Sequence, residues 1–402
     1  MKLFALALTA TFAFANPLQD AINAASPGDT IELGSGVVAG DIVIDKPLTI
    51  DGHDKSAVIR GSGTGNVVKI TAPNVKLKNL TIENSGDSHT TVDAGIKCEN
   101  ANGVEIEGNE FRGTLYGIYM DRCGGAKITN NRITSKPADL PLRGDAIRLI
   151  YCHDALIKGN YVYDAKDVVL WYCTGGRIAE NYGRGSRYSL HFMYSNNNLV
   201  ENNVFEGNTV GMFFMYSQGC MVRNNRVSYS SGSYGIGTGL KEASDFKFEN
   251  NIFSHNARGI YTDNSPYQPN TVNTFTRNQI IYNTTGIQLH ATQHPSVFEN
   301  NDFIGNMDVA INDTPGSKIH LNQWRGNYFD DYEGYDRDRD GTGDVHYKNF
   351  AYLDSLWQYY PNLRLFYGSS VMSVINFLAK LAPFSEPELL VSDDSPKMRP
   401  NL

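Results

Sequence analysis

His191, Met193 and Met215 are the residues of this chain whose types and spacing most readily suggest chemistry. Phe-Met-Tyr-Ser occurs at Phe192 to Ser195 and again at Phe214 to Ser217, 22 residues apart, and His191 precedes the first copy. Thioethers suit Cu(I), and imidazole serves either oxidation state of copper, so the three form a candidate site for copper held in transit. The plainer account is that a loop or another subunit covers an apolar stripe and the methionines only pack.

Other spacings carry chemistry of their own. In "YDRDRDGTGD", Asp336, Asp338, Asp340 and Asp344 with Gly341 match the early positions of a calcium loop, although Tyr347 occupies the twelfth position, where Glu is usual. Cys123 and Cys152 fall five residues after equivalent strand positions, which predicts a disulfide between neighbouring coils, with Cys173 one position off and Cys98 in the core. Lys97, Glu99, Asp121 and Arg148 make a charged face of the kind carbohydrate-active lyases, hydrolases and epimerases use. That face carries no compact Asp-Asp pair, and the sequence contains no Gly-His-Gly segment of the polygalacturonase kind.

The elements that must position these residues are repeats. Ile96, Ile118, Ile147, Val169, Leu190, Met212, Ile236, Ile260, Ile287 and Ile311 recur at 21 to 29 residues. A parallel column of Asn runs through Asn109, Asn131, Asn160, Asn181, Asn203, Asn225, Asn251, Asn278 and Asn301. Short β-branched runs between Gly and Asn, without helical periodicity, predict an all-β right-handed parallel β-helix whose units bury a core only by stacking. Asn suits left-handed turn positions, and its amides can bond up the stack. Alternation along the strands sends Leu190 and Phe192 inward and His191, Met193 and Met215 outward.

"LQDAINAASPGD" predicts a short helix capping the first edge. Segments 134–145 and 262–274 interrupt the interval and should be loops. Near the C-terminus Val371, Val374, Ile375, Leu378 and Leu381 have helical spacing, in a stretch too short and polar to span a bilayer. It reads as a cap on the last coil or as a helix docking on a membrane-embedded partner. The predicted organisation is a signal peptide at 1–15, a capped β-helix at 16–320, an acidic segment at 321–350 and a helical docking tail at 351–402.

Lys2, the apolar run after it and Ala13-Phe14-Ala15 form that signal pattern and predict export to the periplasm or beyond. The formal net charge of −8 argues against a nucleic-acid partner. Five cysteines are an odd count for an oxidising compartment.

Taken with the cap, "DIVIDKPLTIDG", the two "FMYS" copies, "RGNYFDDYEGYDRDRDGTGDVHY" and the closing "SPKMRP", nearly the whole mature chain resembles the NosD family. Phe329 stands where that family usually has Trp, and His346 where it has Pro. The resemblance implies a non-enzymatic periplasmic accessory protein whose C-terminal region docks on the membrane subunits of an ABC transporter. It also implies copper transfer from a membrane-anchored chaperone to the copper centres of nitrous oxide reductase. It supplies no ligand set.

Overall fold

Short apolar runs separated by Gly and Asn fold into short parallel strands in the computed structural model, which describes residues 3–6, 16–351, 362, 366, 369–381 and 387–401. The chain divides into two compact units, residues 1–209 and 210–402. In the first, Glu105–Glu107, Glu110–Arg112 and Tyr116–Asp121 pair in parallel with Lys127–Thr129, Arg132–Ile133 and Ile147–Ile150 of the next coil. In the second, Lys247–Glu249, Ile252–Ser254 and Arg258–Asp263 pair likewise with Asn273–Thr276, Gln279–Ile281 and Thr285–His290. The fold is therefore the expected right-handed parallel β-helix, with three sheet faces around a buried core.

The Asn column is a hydrogen-bonded ladder inside each unit. Asn131 Oδ1 accepts from the Asn109 backbone N–H at 2.9 Å and from its amide at 3.2 Å, and Asn160 and Asn181 repeat the pattern. Asn225, Asn251, Asn278, Asn301 and Asn327 do the same in the second unit. The left-handed turn residue is not the ladder Asn but the one before it, such as Asn130, Glu180 or Asn202 at φ 56°. That residue turns the chain so that the Asn side chain points inward.

Three members of the predicted inward column are out of phase. Ile147 pairs with Val168 rather than Val169, Met212 with Thr238 rather than in the row of Ile236, and Ile287 with Ala310 rather than Ile311. In each case apolar or small residues stand on both faces of the strand, so alternation alone does not fix the phase.

The ends are closed as physical chemistry requires of an exposed sheet edge. Pro17–Ala24 is an α-helix with Pro at its start, Asn16 capping the Gln19 N–H, and Leu18 and Ile22 buried. Its Gln19 amide accepts from the Val43 N–H at 2.7 Å and donates to the Val43 carbonyl at 3.1 Å, so a helix side chain completes the edge strand. Of the predicted signal peptide, Leu3–Leu6 pairs with Thr30–Leu33, and the cleavage site lies outside the described residues.

Coils continue past residue 320 through Gln323–Arg325 and Tyr328–Phe329. The chain then runs out along Tyr347–Ala351 and returns antiparallel along Glu388–Asp393. Phe329 is buried against Tyr347 with ring centroids 3.8 Å apart, so Phe fills its place in the core.

Candidate functional site

Strand alternation holds where the candidate ligands sit. Leu190 and Phe192 are fully buried in the core, and His191 and Met193 belong to the opposite face of Tyr188–Met193. Register places His191 beside Val169 and Met193 beside Trp171. Met215 lies in the second unit, in register with Lys241, whose ammonium pairs with Asp263 at 2.8 Å. His191 is not an open surface group, for only 7% of it is accessible.

A β-bulge shapes this face. Asp167 pairs with Tyr188 while Val169 pairs with His191, so one strand uses three steps where its neighbour uses two. Bulges re-aim side chains, and this one brings Asp167 Oδ2 to 3.8 Å from His191 Nδ1. Arg187 grips both Asp167 oxygens, Nε reaching Oδ1 at 3.1 Å and the terminal nitrogen reaching Oδ2. The Tyr188 N–H adds a third donor at 3.1 Å. The Arg187 guanidinium lies over the Tyr188 ring at 4.8 Å, and that ring packs 4.7 Å from the imidazole of His191.

One coil earlier, Asp145 and Arg148 repeat the pairing. Arg148 Nε donates to Asp145 Oδ2 at 2.6 Å, and the guanidinium lies 5.0 Å from the Tyr116 ring. Both carboxylates are 1% exposed. Burial, with the Asp167 charge adding to it, outweighs Arg148 and pushes the Asp145 carboxyl up to about 6. Burial also raises Asp167, but His191 and Arg187 outweigh it and hold that carboxyl below its usual range.

Several polar atoms on this face are buried without a hydrogen-bond partner among the described residues. They include His191 Nε2, Trp171 Nε1, Asp145 Oδ1 and Asp121 Oδ1. Beside them runs an exposed stack of Tyr151, Tyr172 and Tyr194, with centroids 4.9 and 5.0 Å apart and left-handed φ of 51°, 54° and 51°. Sequence reasoning missed Asp145, Asp167, Arg187 and the tyrosine stack. The available signal was an acid at the start of two adjacent strands, where neighbouring coils carry Ala94 or Tyr116.

Lys97, Glu99 and Asp121 are consumed in surface ion pairs, Lys97 with Glu99 at 3.8 Å and Asp121 with Arg122 at 3.0 Å. The expected Cys123–Cys152 bridge is absent, and all five cysteines are free thiols. The two do stack in adjacent coils. Their sulfurs point inward and act in a ladder: Cys152 Sγ accepts from the Cys123 N–H and Cys173 Sγ from the Cys152 N–H, both at 3.4 Å, and Ser195 Oγ takes the next rung at 3.1 Å. Burial raises the Cys173 thiol to about 11.

The acidic loop brings Asp336, Asp338 and Asp340 within 4.8 Å of one another. Asp344 instead accepts from the Arg337 N–H at 2.9 Å. Asp336 accepts from the Gly341 N–H at 2.9 Å and Asp340 from the Thr342 N–H at 2.6 Å, so these carboxylates already close the turn. His346 is exposed.

Ser370–Leu381 is an α-helix. Val371, Val374, Leu378 and Leu381 are each at least half exposed, while Ile375 is partly buried and Met372 is buried. No helix among the described residues is long and apolar enough to cross a membrane.

Residues 129–334 match the family model described as "Periplasmic copper-binding protein (NosD)". Two curated relatives carry the name "Probable ABC transporter binding protein NosD". The one from Pseudomonas aeruginosa is 28% identical over 383 residues, covering 91% of this chain and 87% of the relative. The one from Stutzerimonas stutzeri is 26% identical over 366 residues, covering 87% and 83%.

Among solved structures, the A-module of the Azotobacter vinelandii mannuronan C-5 epimerase AlgE6 superposes with a TM-score of 0.59 at 16% identity, covering 78% of this chain and 93% of that one. The catalytic domain of a GH87 alpha-1,3-glucanase follows at 0.55 and 12%, covering 80% and 69%. At such identities these two show the fold alone.

Proposed function

Because the chain belongs to the NosD family of periplasmic copper-binding proteins, we propose that it is a periplasmic accessory protein of an ABC transporter that handles copper for assembly of the copper centres of nitrous oxide reductase. His191 and Met193 are the donors of the first unit. One observation carries the copper assignment: an imidazole 7% exposed whose Nε2 has no hydrogen-bond partner among the described residues, two residues from a thioether on the same face. Soft sulfur and imidazole together favour Cu(I). Met215, which the sequence pattern also nominates as a donor, lies in the second unit and is tested by its own substitution.

The exposed apolar positions of Ser370–Leu381 suit docking on the membrane subunits of the transporter, as an amphipathic helix laid in a groove. The tyrosine stack and its apolar neighbours suit the copper donor or acceptor protein, since Tyr and Trp are enriched at protein interfaces. In this reading a membrane-anchored chaperone hands copper to the outward face, and the reductase receives it.

Anaerobic Cu(I) titration against a competing chelator tests the site. His191→Ala and Met193→Ala should each weaken binding at least tenfold, and Met215→Ala reports whether the second unit contributes. Unchanged affinity in His191→Ala with Met193→Ala combined, together with unchanged reductase copper content in cells, sinks the assignment.

A second reading has one observation behind it. Asp145 and Asp167 are adjacent buried carboxyls displaced in opposite directions, the pattern that separates an acid from a base in carbohydrate-active enzymes. Turnover of a uronate polysaccharide by the purified protein, lost in Asp145→Asn, would establish it. Both carboxylates are also plain partners of arginines, which is why copper handling is preferred.

A further inference from the structure

We infer that Asp167, clamped by Arg187, positions the His191 ring with its proton on Nδ1 and its lone pair on Nε2, so that Nε2 is the copper-donor atom. This rests on His191 being a copper ligand, as proposed above. Neutral imidazole carries one N–H, and the nitrogen nearer a carboxylate keeps it. Asp167 Oδ2 is 3.8 Å from Nδ1. That is longer than a direct hydrogen bond, but the carboxylate still favours the proton on the near nitrogen.

The carboxylate cannot turn away. Both its oxygens are held by Arg187, and Oδ1 also by the Tyr188 N–H. The bulge between Asp167 and Val169 sets it beside the imidazole, and the Tyr188 ring, 4.7 Å from His191, limits rotation from the other side. What remains is Nε2, buried and without a hydrogen-bond partner among the described residues. Leaving such a group unmatched is unfavourable, and that cost is removed when a metal takes the lone pair. Carboxylate, imidazole and metal in line is the arrangement by which outer groups orient metal-bound histidines.

The alternative is that Asp167 only neutralises Arg187. Two measurements on the full-length protein separate these: Cu(I) affinity, and the tautomer of His191 from side-chain ¹⁵N shifts in the metal-free protein. Asp167→Asn should shift the ring away from the Nδ1-protonated form and lower Cu(I) affinity by about 10- to 100-fold. If Asp167→Asn does not fold, Arg187→Gln loosens the same carboxylate and should move both readouts in the same direction.

Weakened binding in His191→Ala with an unchanged tautomer and affinity in Asp167→Asn overturns the positioning role and leaves the copper assignment standing. Unchanged binding in His191→Ala overturns His191 as a copper ligand, and the donor role of Nε2 with it.

Discussion

Asp145 shows how a buried charge makes a site sensitive to its surroundings. Its carboxyl rises from 3.8 to about 6 on folding, so the folded state holds the proton more tightly than the unfolded chain does. The sign follows: the stabilising contribution is present below the unfolded value and is lost as pH rises through 6. That shift corresponds to roughly 3 kcal/mol at most. Asp145→Asn, which is neutral at every pH, should therefore gain on the wild type between pH 4 and 8 in denaturant titrations. A stability difference constant across that range would refute the raised carboxyl. The sequence did not expose this residue as a site, because an Asp opening a strand looks like an ordinary turn residue. Only the fold shows that two such acids, 22 residues apart, are buried in successive coils.

At the scale of elements, the ladders were legible and their phase was not. A side chain that must bond the same group one coil later recurs at a nearly fixed interval, so the Asn column could be read from spacing. The register of the inward column was misread at Val169, Ile236 and Ile311 because apolar or small residues fill neighbouring positions there. The arginine clamp on Asp167 depends on a bulge, which leaves no mark in composition.

Two predictions belong to the ladders. Asp393 carries the Asn ladder of the second unit to its end, its Oδ2 accepting from the Asn327 N–H at 2.9 Å and from its amide at 2.8 Å. Asp393→Ala strands buried donors and should cost about 3 kcal/mol or more by chemical denaturation, while Asp393→Asn, which keeps an acceptor, should cost less. An equal loss in both would mean that the carboxamide is no substitute. The cysteine ladder predicts five reactive thiols per chain after denaturation without reductant, and none in the native state. A titre of three would restore the bridge. Cys152→Ser should be tolerated, since Ser195 already occupies an equivalent rung.

For the whole molecule, the acidic loop and the helix separate stability from association. If Asp336, Asp338 and Asp340 bind calcium, millimolar calcium should raise the melting temperature of the wild type and not that of Asp338→Asn. Equal melting with and without calcium leaves these groups as the turn closure described above. Val374→Asp combined with Leu378→Asp should leave Cu(I) binding intact while abolishing co-purification with the transporter membrane subunits. Loss of both properties would mean that the helix supports the fold instead.

The segment bearing that helix is no free tail. Tyr347–Ala351 leads out and Glu388–Asp393 leads back, zipped to each other, and Asp393 is fastened to Asn327. The segment is thus a tether moored at both ends, its base stitched into the final coil of its unit. A pull on it by a partner would reach that coil through two strands at once, as load on a handle reaches a lid through both of its rivets.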